Sequence, residues 1–251
     1  MLKRAKCPEL TGIPQVRKET HKERTTIYAC RQSRSSCLHL LLRIGRQPIG
    51  NTHLIESGKS SFLRQNSHMA IFENRGKSAL LVIDVQNGVV DNAFARESVI
   101  AHINEVIAKA RAKNVPVIWV QHSDEELEIG SENWKIVPEL KPSSDEAVIR
   151  KLFRNTFVET ELGTLLESLG VDHLYITGAQ TNNCIRHTCH GALELGYDIT
   201  LISDAHTTSS YEWRGRNVTA SDVINEQNDN LSGEILPGRK ATVVESAAIT
   251  F

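Results

Sequence analysis

The stretch "SALLVIDV", residues 78–85, sets five consecutive apolar residues, Ala79–Ile83, against one acid, Asp84. A strand wetted on one face alternates apolar and polar residues. A continuous apolar run buries both faces, as a central strand of a parallel sheet does. The rest of the chain follows that lead. "AFARESVIAHINEVIAKARAKN" (93–114) places Val99, Ile103, Val106, Ile107 and Ala110 on one helical stripe. "VPVIWVQ" (115–121) reads as a second strand, and 131–150 as a long loop. "FVETELGTLLESLG" (157–170) is a helix stopped by Gly170. "HLYITG" (173–178) is a strand, 182–195 a helix ending at Gly196, and "DITLISDA" (198–205) a strand. "NVTASDVINEQNDNLSG" (217–233) is a helix and "KATVVES" (240–246) the last strand. Strands alternating with helices predict an α/β fold, a three-layer, mostly parallel, doubly wound sheet with helices on both faces.

The regular pattern does not reach back to the start. Of the 251 residues, 1–68 carry a charge balance of +9 and 69–251 a balance of -10. Residues 1–68 show no sustained period, so the reading is two parts. The first, 1–68, is a basic N-terminal extension, disordered or non-native. The second, 69–251, is a folded domain. Met69 opens the regular pattern and reads as the natural start. The Arg- and Ser-rich extension has the composition of an organellar transit peptide but lacks its amphipathic face. It also lacks the interleaved aromatic residues on which bases stack, so no nucleic-acid partner is expected. No run approaches the ~18 apolar residues of a membrane helix, and no secretory signal is visible. An odd number of cysteines, five, then points to free thiols in a soluble, cytoplasmic protein without a membrane partner.

In doubly wound sheets ligands bind beyond the carboxyl ends of the strands, where strand order reverses. The run 78–85 ends there with Asp84 and Gln86, and the run 173–178 delivers Cys184 to a helix start, with the two ends side by side. Asp84 has two readings: an acid capping a loop, or a buried carboxylate of raised pKa that accepts a thiol proton. Cys184 has two as well. It is a small hydrophobe in the helix–sheet contact, or a thiolate stabilised by the helix N-terminus. Cys189, His187 and His190 crowd the same helix. At 100° per residue they stand roughly 60° (His187), 140° (Cys189) and 120° (His190) from Cys184, too dispersed for zinc or a disulfide. Lys151, in "VIRKLFRNTF" (148–157), lies in a polar loop before a helix and by composition alone is a solvated lysine.

Three separated motifs together resemble the isochorismatase-like cysteine hydrolase superfamily. They are "ALLVIDVQNG" (79–88), "RKLFRNTF" (150–157) and "YITGAQTNNCIRHTCHGALELGYDITLISDAHTT" (175–208). The wording of the third is most similar to the streptothricin-hydrolase-like branch. The resemblance spans nearly all of 69–251 and implies a Rossmann-like topology and a catalytic triad of Asp84, Lys151 and Cys184. It also implies a cis peptide at Ala179–Gln180, with the backbone N–H groups of Gln180 and Cys184 as the oxyanion hole. The implied activity is hydrolysis of an amide- or ureide-type C–N bond of a small molecule through an acyl-enzyme. A vinyl-ether hydrolase, or a binding domain of the same fold without activity, are the alternatives. Nicotinamidases of the family carry an Asp-x-His…His metal motif. Here that region offers His122 and Asp124 without a second nearby histidine, so no metal and no cofactor are expected. Gln86, Trp119, His122, Trp134, Phe153 and Tyr211 are candidates for the pocket wall, by position after strand ends. Family members are commonly dimers or tetramers, which implies a homo-oligomer.

Overall fold

The computed structural model describes Phe72 and residues 75–251. The readings made of residues 1–68 and of Met69 lie outside the described residues.

Seven strands form one sheet in the order β3-β2-β1-β4-β5-β9-β8. The central strand, β1 (Lys77–Ile83), pairs in parallel with β2 (Val117–His122) on one side and β4 (Val171–Ala179) on the other. Next to β2 lies β3 (Ala147–Lys151), and next to β4 lie β5 (Asp198–Thr207) and β9 (Arg239–Val244), all parallel. The short β8 (Ile235–Leu236) closes that edge antiparallel to β9. Strand order therefore reverses between β1 and β4.

Burial on both faces explains the continuous apolar run of β1. Its odd residues Ala79, Leu81 and Ile83 pack with Leu162 and Leu166 of α3 (Leu162–Leu169) and Cys189 and Ala192 of α4 (Arg186–Leu195). Its even residues Leu80 and Val82 pack on the other side, against Val99, Ile103, Val106 and Ala110 of α2 (Arg96–Ala112), which follows the one-turn helix α1 (Asn87–Val90). Full burial of one such aliphatic side chain contributes about 1.5–3 kcal/mol, so this sandwich fixes the register of the central strands.

Three expectations need correction. Residues 131–150 are not all loop, because β3 begins at Ala147. In β3, Ile149 and Lys151 are buried while Val148 and Arg150 are exposed, the alternation of an edge strand. The helix expected over 157–170 starts only at Leu162, and that expected over 217–233 is α5, Ala220–Leu231. Thr219 caps α5 by accepting the Asp222 N–H, while Asn217 belongs to a small antiparallel pair, β6 (Tyr211–Trp213) with β7 (Arg216–Val218). Among the described residues no helix is long and apolar enough to cross a membrane.

Candidate active site

The carboxyl ends of β1, β2, β3 and β4 converge at the reversal point. β1 stops at Ile83, and Asp84 takes a left-handed backbone (φ 51°) that turns the chain out of the sheet. The neighbour of Ile83 across the ladder is Gly178, with φ 121°. A Cβ at Gly178 would overlap the backbone of Ile83, so glycine lets β1 and β4 approach closely at the point where both lead into the site. After β4 comes a cis peptide, Ala179–Gln180. A π-helical turn, Thr181–Ile185, then carries Cys184 into α4.

Lys151 enters from the other side. It ends β3 in register with His122 of β2, and its long stem reaches past the end of β2. Its ammonium Nζ lies 2.6 Å from Asp84 Oδ2 and donates to Cys184 Sγ at 3.2 Å. The expectation of a solvated lysine in a loop is thus corrected: Lys151 is buried at a strand end. Neither carboxylate oxygen of Asp84 receives an aligned hydrogen bond among the described residues. The charge of Lys151 is what offsets its burial, and an oxygen is left free to take a proton.

The model of the isochorismatase domain matches residues 78–220, a span holding Asp84, Lys151 and Cys184. The chain belongs to the isochorismatase family. It is 32% identical over 136 residues to streptothricin hydrolase of Streptomyces noursei, covering 52% of this chain and 49% of that protein. The chain thus spans about half the length of that relative. It is 28% identical over 172 residues to ureidoacrylate amidohydrolase RutB of Pseudomonas savastanoi pv. phaseolicola, covering 52% of this chain and 70% of the relative. The crystal structure of an isochorismatase family protein, 30% identical, superposes with a TM-score of 0.60 over 67% of this chain and 98% of that one.

In this isochorismatase-family site the electrostatics are set by burial. Burial pushes the pKa of Asp84 up against the pull of Lys151. Burial, then the Asp84 carboxylate, push the Cys184 thiol up to about 12, with Lys151 opposing. Desolvation and the neighbouring carboxylate both favour the protonated sulfur over the thiolate that the helix start would stabilise.

Asp84 and Cys184 open on a cavity of about 310 Å³, also lined by His122, Arg154, Gln180 and Asn183, and by the loop residues Asp124, Glu126 and Asn133. Of the six residues expected in its wall, only His122 lines it. Gln86 is buried, with its amide committed to the backbones of His122 and Trp134. Trp119 packs on the α2 side of the sheet and donates its indole N–H to Glu146. Trp134 donates to Ser123 Oγ, and Phe153 and Tyr211 are exposed and do not line the cavity. Sequence reasoning missed Arg154, Asn183 and Gln180's side in the wall. Proximity was the available signal, since Arg154 lies three residues after Lys151 and Asn183 one before Cys184.

The crowded helix disperses. Cys189 is buried in the core, and His187 donates Nδ1–H to Asn183 O at 2.8 Å. Cys184 and Cys189 are free thiols. Among the described residues no three His, Cys, Asp or Glu side chains converge in a metal-binding group.

Proposed function

We propose that the chain is a cysteine-dependent hydrolase that cleaves an amide- or ureide-type C–N bond of a small molecule. The observation that carries this reading is the single ammonium of Lys151 in contact with both Asp84 and Cys184. The names of the streptothricin hydrolase and ureidoacrylate amidohydrolase relatives support the bond class.

In this reading Asp84 takes the Cys184 proton as the sulfur attacks the substrate carbonyl carbon. The backbone N–H groups of Gln180 and Cys184 face the developing oxyanion, and such a donor is typically worth about 10²–10³ in rate. Asp84 passes the proton to the departing nitrogen, and the C–N bond breaks to leave an acyl-thioester. Water then attacks the thioester and gives a proton to Asp84, which returns it to the sulfur as the acid leaves. Lys151 keeps its charge throughout and balances whichever of Asp84 and Cys184 is anionic. The hydrolase unit is 69–251, and it works as a homo-oligomer, which light scattering of the purified protein would check.

The test is ammonia or amine release over a panel of small amides and ureides. Wild type should turn over at least one, and Cys184→Ala should lose more than about 10³-fold in kcat. Turnover that survives in Cys184→Ala would reject the covalent mechanism.

A further inference from the structure

An ammonium has three protons to donate, and three groups surround that of Lys151. Two are Asp84 Oδ2, an ion-pair contact at 2.6 Å without hydrogen-bond alignment, and Cys184 Sγ, which accepts at 3.2 Å. The third, at the longest distance, is His122 Nδ1 at 3.5 Å. A cation cannot donate to an N–H, so Nδ1 must carry the lone pair and the imidazole proton must sit on Nε2. Asp124 favours that same tautomer, with its Oδ2 3.2 Å from His122 Nε2. The other oxygen of Asp124 is held by the backbone N–H groups of Glu126 at 2.9 Å and Leu127 at 2.8 Å. The histidine backbone is fixed too. Its N–H donates to Gln86 Oε1 at 2.8 Å, and its carbonyl accepts from Gln86 Nε2 at 2.9 Å.

We infer that His122 is a positioning residue: as the neutral Nε2–H tautomer it holds the Lys151 ammonium where it meets both Asp84 and Cys184. The inference rests on the hydrolase reading above and assigns a task that the triad does not perform for itself. When Asp84 accepts the thiol proton it becomes neutral, and Lys151 loses its strongest partner just as the sulfur gains charge. His122 remains an acceptor on both sides of that transfer. Without it, a buried N–H of Lys151 is left unpaired and the ammonium is drawn to Asp84, away from the sulfur.

Two substitutions separate this role from that of a cavity wall. In His122→Asn the side-chain oxygen falls near the position of Nδ1 and accepts as it did. His122→Leu has a similar shape and no acceptor. The readout that needs no known substrate is the rate at which iodoacetamide alkylates Cys184 at pH 8, followed by peptide mass, with thermal midpoints measured alongside. His122→Leu should slow alkylation about tenfold and His122→Asn no more than about threefold, the difference expected from one buried hydrogen bond. Both variants should stay folded at the assay temperature, with His122→Leu melting below His122→Asn because it alone leaves a buried N–H of Lys151 unpaired. On a substrate from the amide and ureide panel, the same order should appear in kcat with KM unchanged. Equal slowing in both variants, or slowing in neither, overturns the inference. If instead Cys184 of the wild type reacts no faster than Cys189, the hydrolase reading fails first and takes the inference with it.

Discussion

Lys151 Nζ lies 2.6 Å from Asp84 Oδ2, and both side chains are closed off from solvent. An isolated charge here would be costly, and the pair tolerates burial only because each offsets the other. Breaking such a pair from one side typically costs about 3–5 kcal/mol, whereas replacing both members is often neutral. Lys151→Met should therefore destabilise the fold by about that amount at neutral pH, and Asp84→Asn/Lys151→Met should recover more than half of it. The sign of the pH dependence follows from burial raising the Asp84 pKa above its ordinary 3.8. A carboxyl raised in the folded state favours folding below the unfolded value, and this is lost as pH rises through the folded one. The deficit of Lys151→Met should thus be small near pH 3.8 and grow on going to pH 7.5. Urea unfolding at both pH values measures it. A double variant as unstable as Lys151→Met would show that the pair is not the source.

The thiol chemistry should differ sharply between the two cysteines of the domain. Cys184 is 8% exposed and opens on the cavity, whereas Cys189 is fully buried. With the Cys184 thiol pushed up to about 12, the thiolate fraction rises about tenfold per pH unit through the whole neutral and mildly basic range. Iodoacetamide should alkylate Cys184 at a rate that climbs log-linearly from about pH 7 to 10, with Cys189 silent until the protein unfolds. A rate that levels off near neutral pH would mean that the resting site already holds a thiolate.

The central strand was legible because burial on both faces leaves a mark, five apolar residues in a row, and Asp84 stood out as the charge that ended it. Lys151 was legible only through the family motif. β3 is a five-residue edge strand with two basic residues, so its pattern reads as loop. The pocket wall was misjudged because position after a strand was used without strand parity. Successive side chains point to opposite faces. On β2, Ile118 and Val120 belong to the α3/α4 side, as Ile149 does on β3, so His122 and Lys151 project toward Cys184. Trp119, of opposite parity, goes to the α2 side. Parity within the sequence would have kept His122 and removed Trp119.

Gly178 should tolerate no side chain. Its φ of 121° disfavours any L residue, and a Cβ would overlap the backbone of Ile83, which cannot move without separating the two central strands. Gly178→Ala should lose more than about 4 kcal/mol or fail to fold. Gly163→Ala is the control. Gly163 lies within α3, and a Cβ there meets nothing within 4 Å, so the substitution should stabilise by about 0.5–1 kcal/mol through helix propensity. Thermal unfolding of the two variants tests the contrast, and similar midpoints would contradict the close-approach argument.

His206 supplies a separate acid-sensitive element behind the nucleophile turn. Its Nδ1 lies 2.9 Å from Thr181 Oγ1, at the start of the π-helical turn, and its Nε2 lies 2.9 Å from Asn228 Oδ1 on α5. Both partners are satisfied by a neutral ring that accepts from Thr181 and donates to Asn228. Burial pushes the ring down to about 4 from 6.5, against the opposing pull of the Asn228 hydrogen bond and of Asp204. A histidine depressed in the folded state contributes stability that is present above the unfolded value and is lost as pH falls through the folded one. Between pH 6.5 and 4 the protein should therefore lose up to about 3 kcal/mol from this group. In His206→Gln the loss over that window should shrink by about the uptake of one proton, although the variant begins less stable at pH 7. Urea midpoints at pH 7, 5.5 and 4.5 read the two slopes. Parallel slopes for wild type and His206→Gln would assign the acid sensitivity to other groups, and His206 would then be a packing residue of the turn rather than its pH-sensitive support.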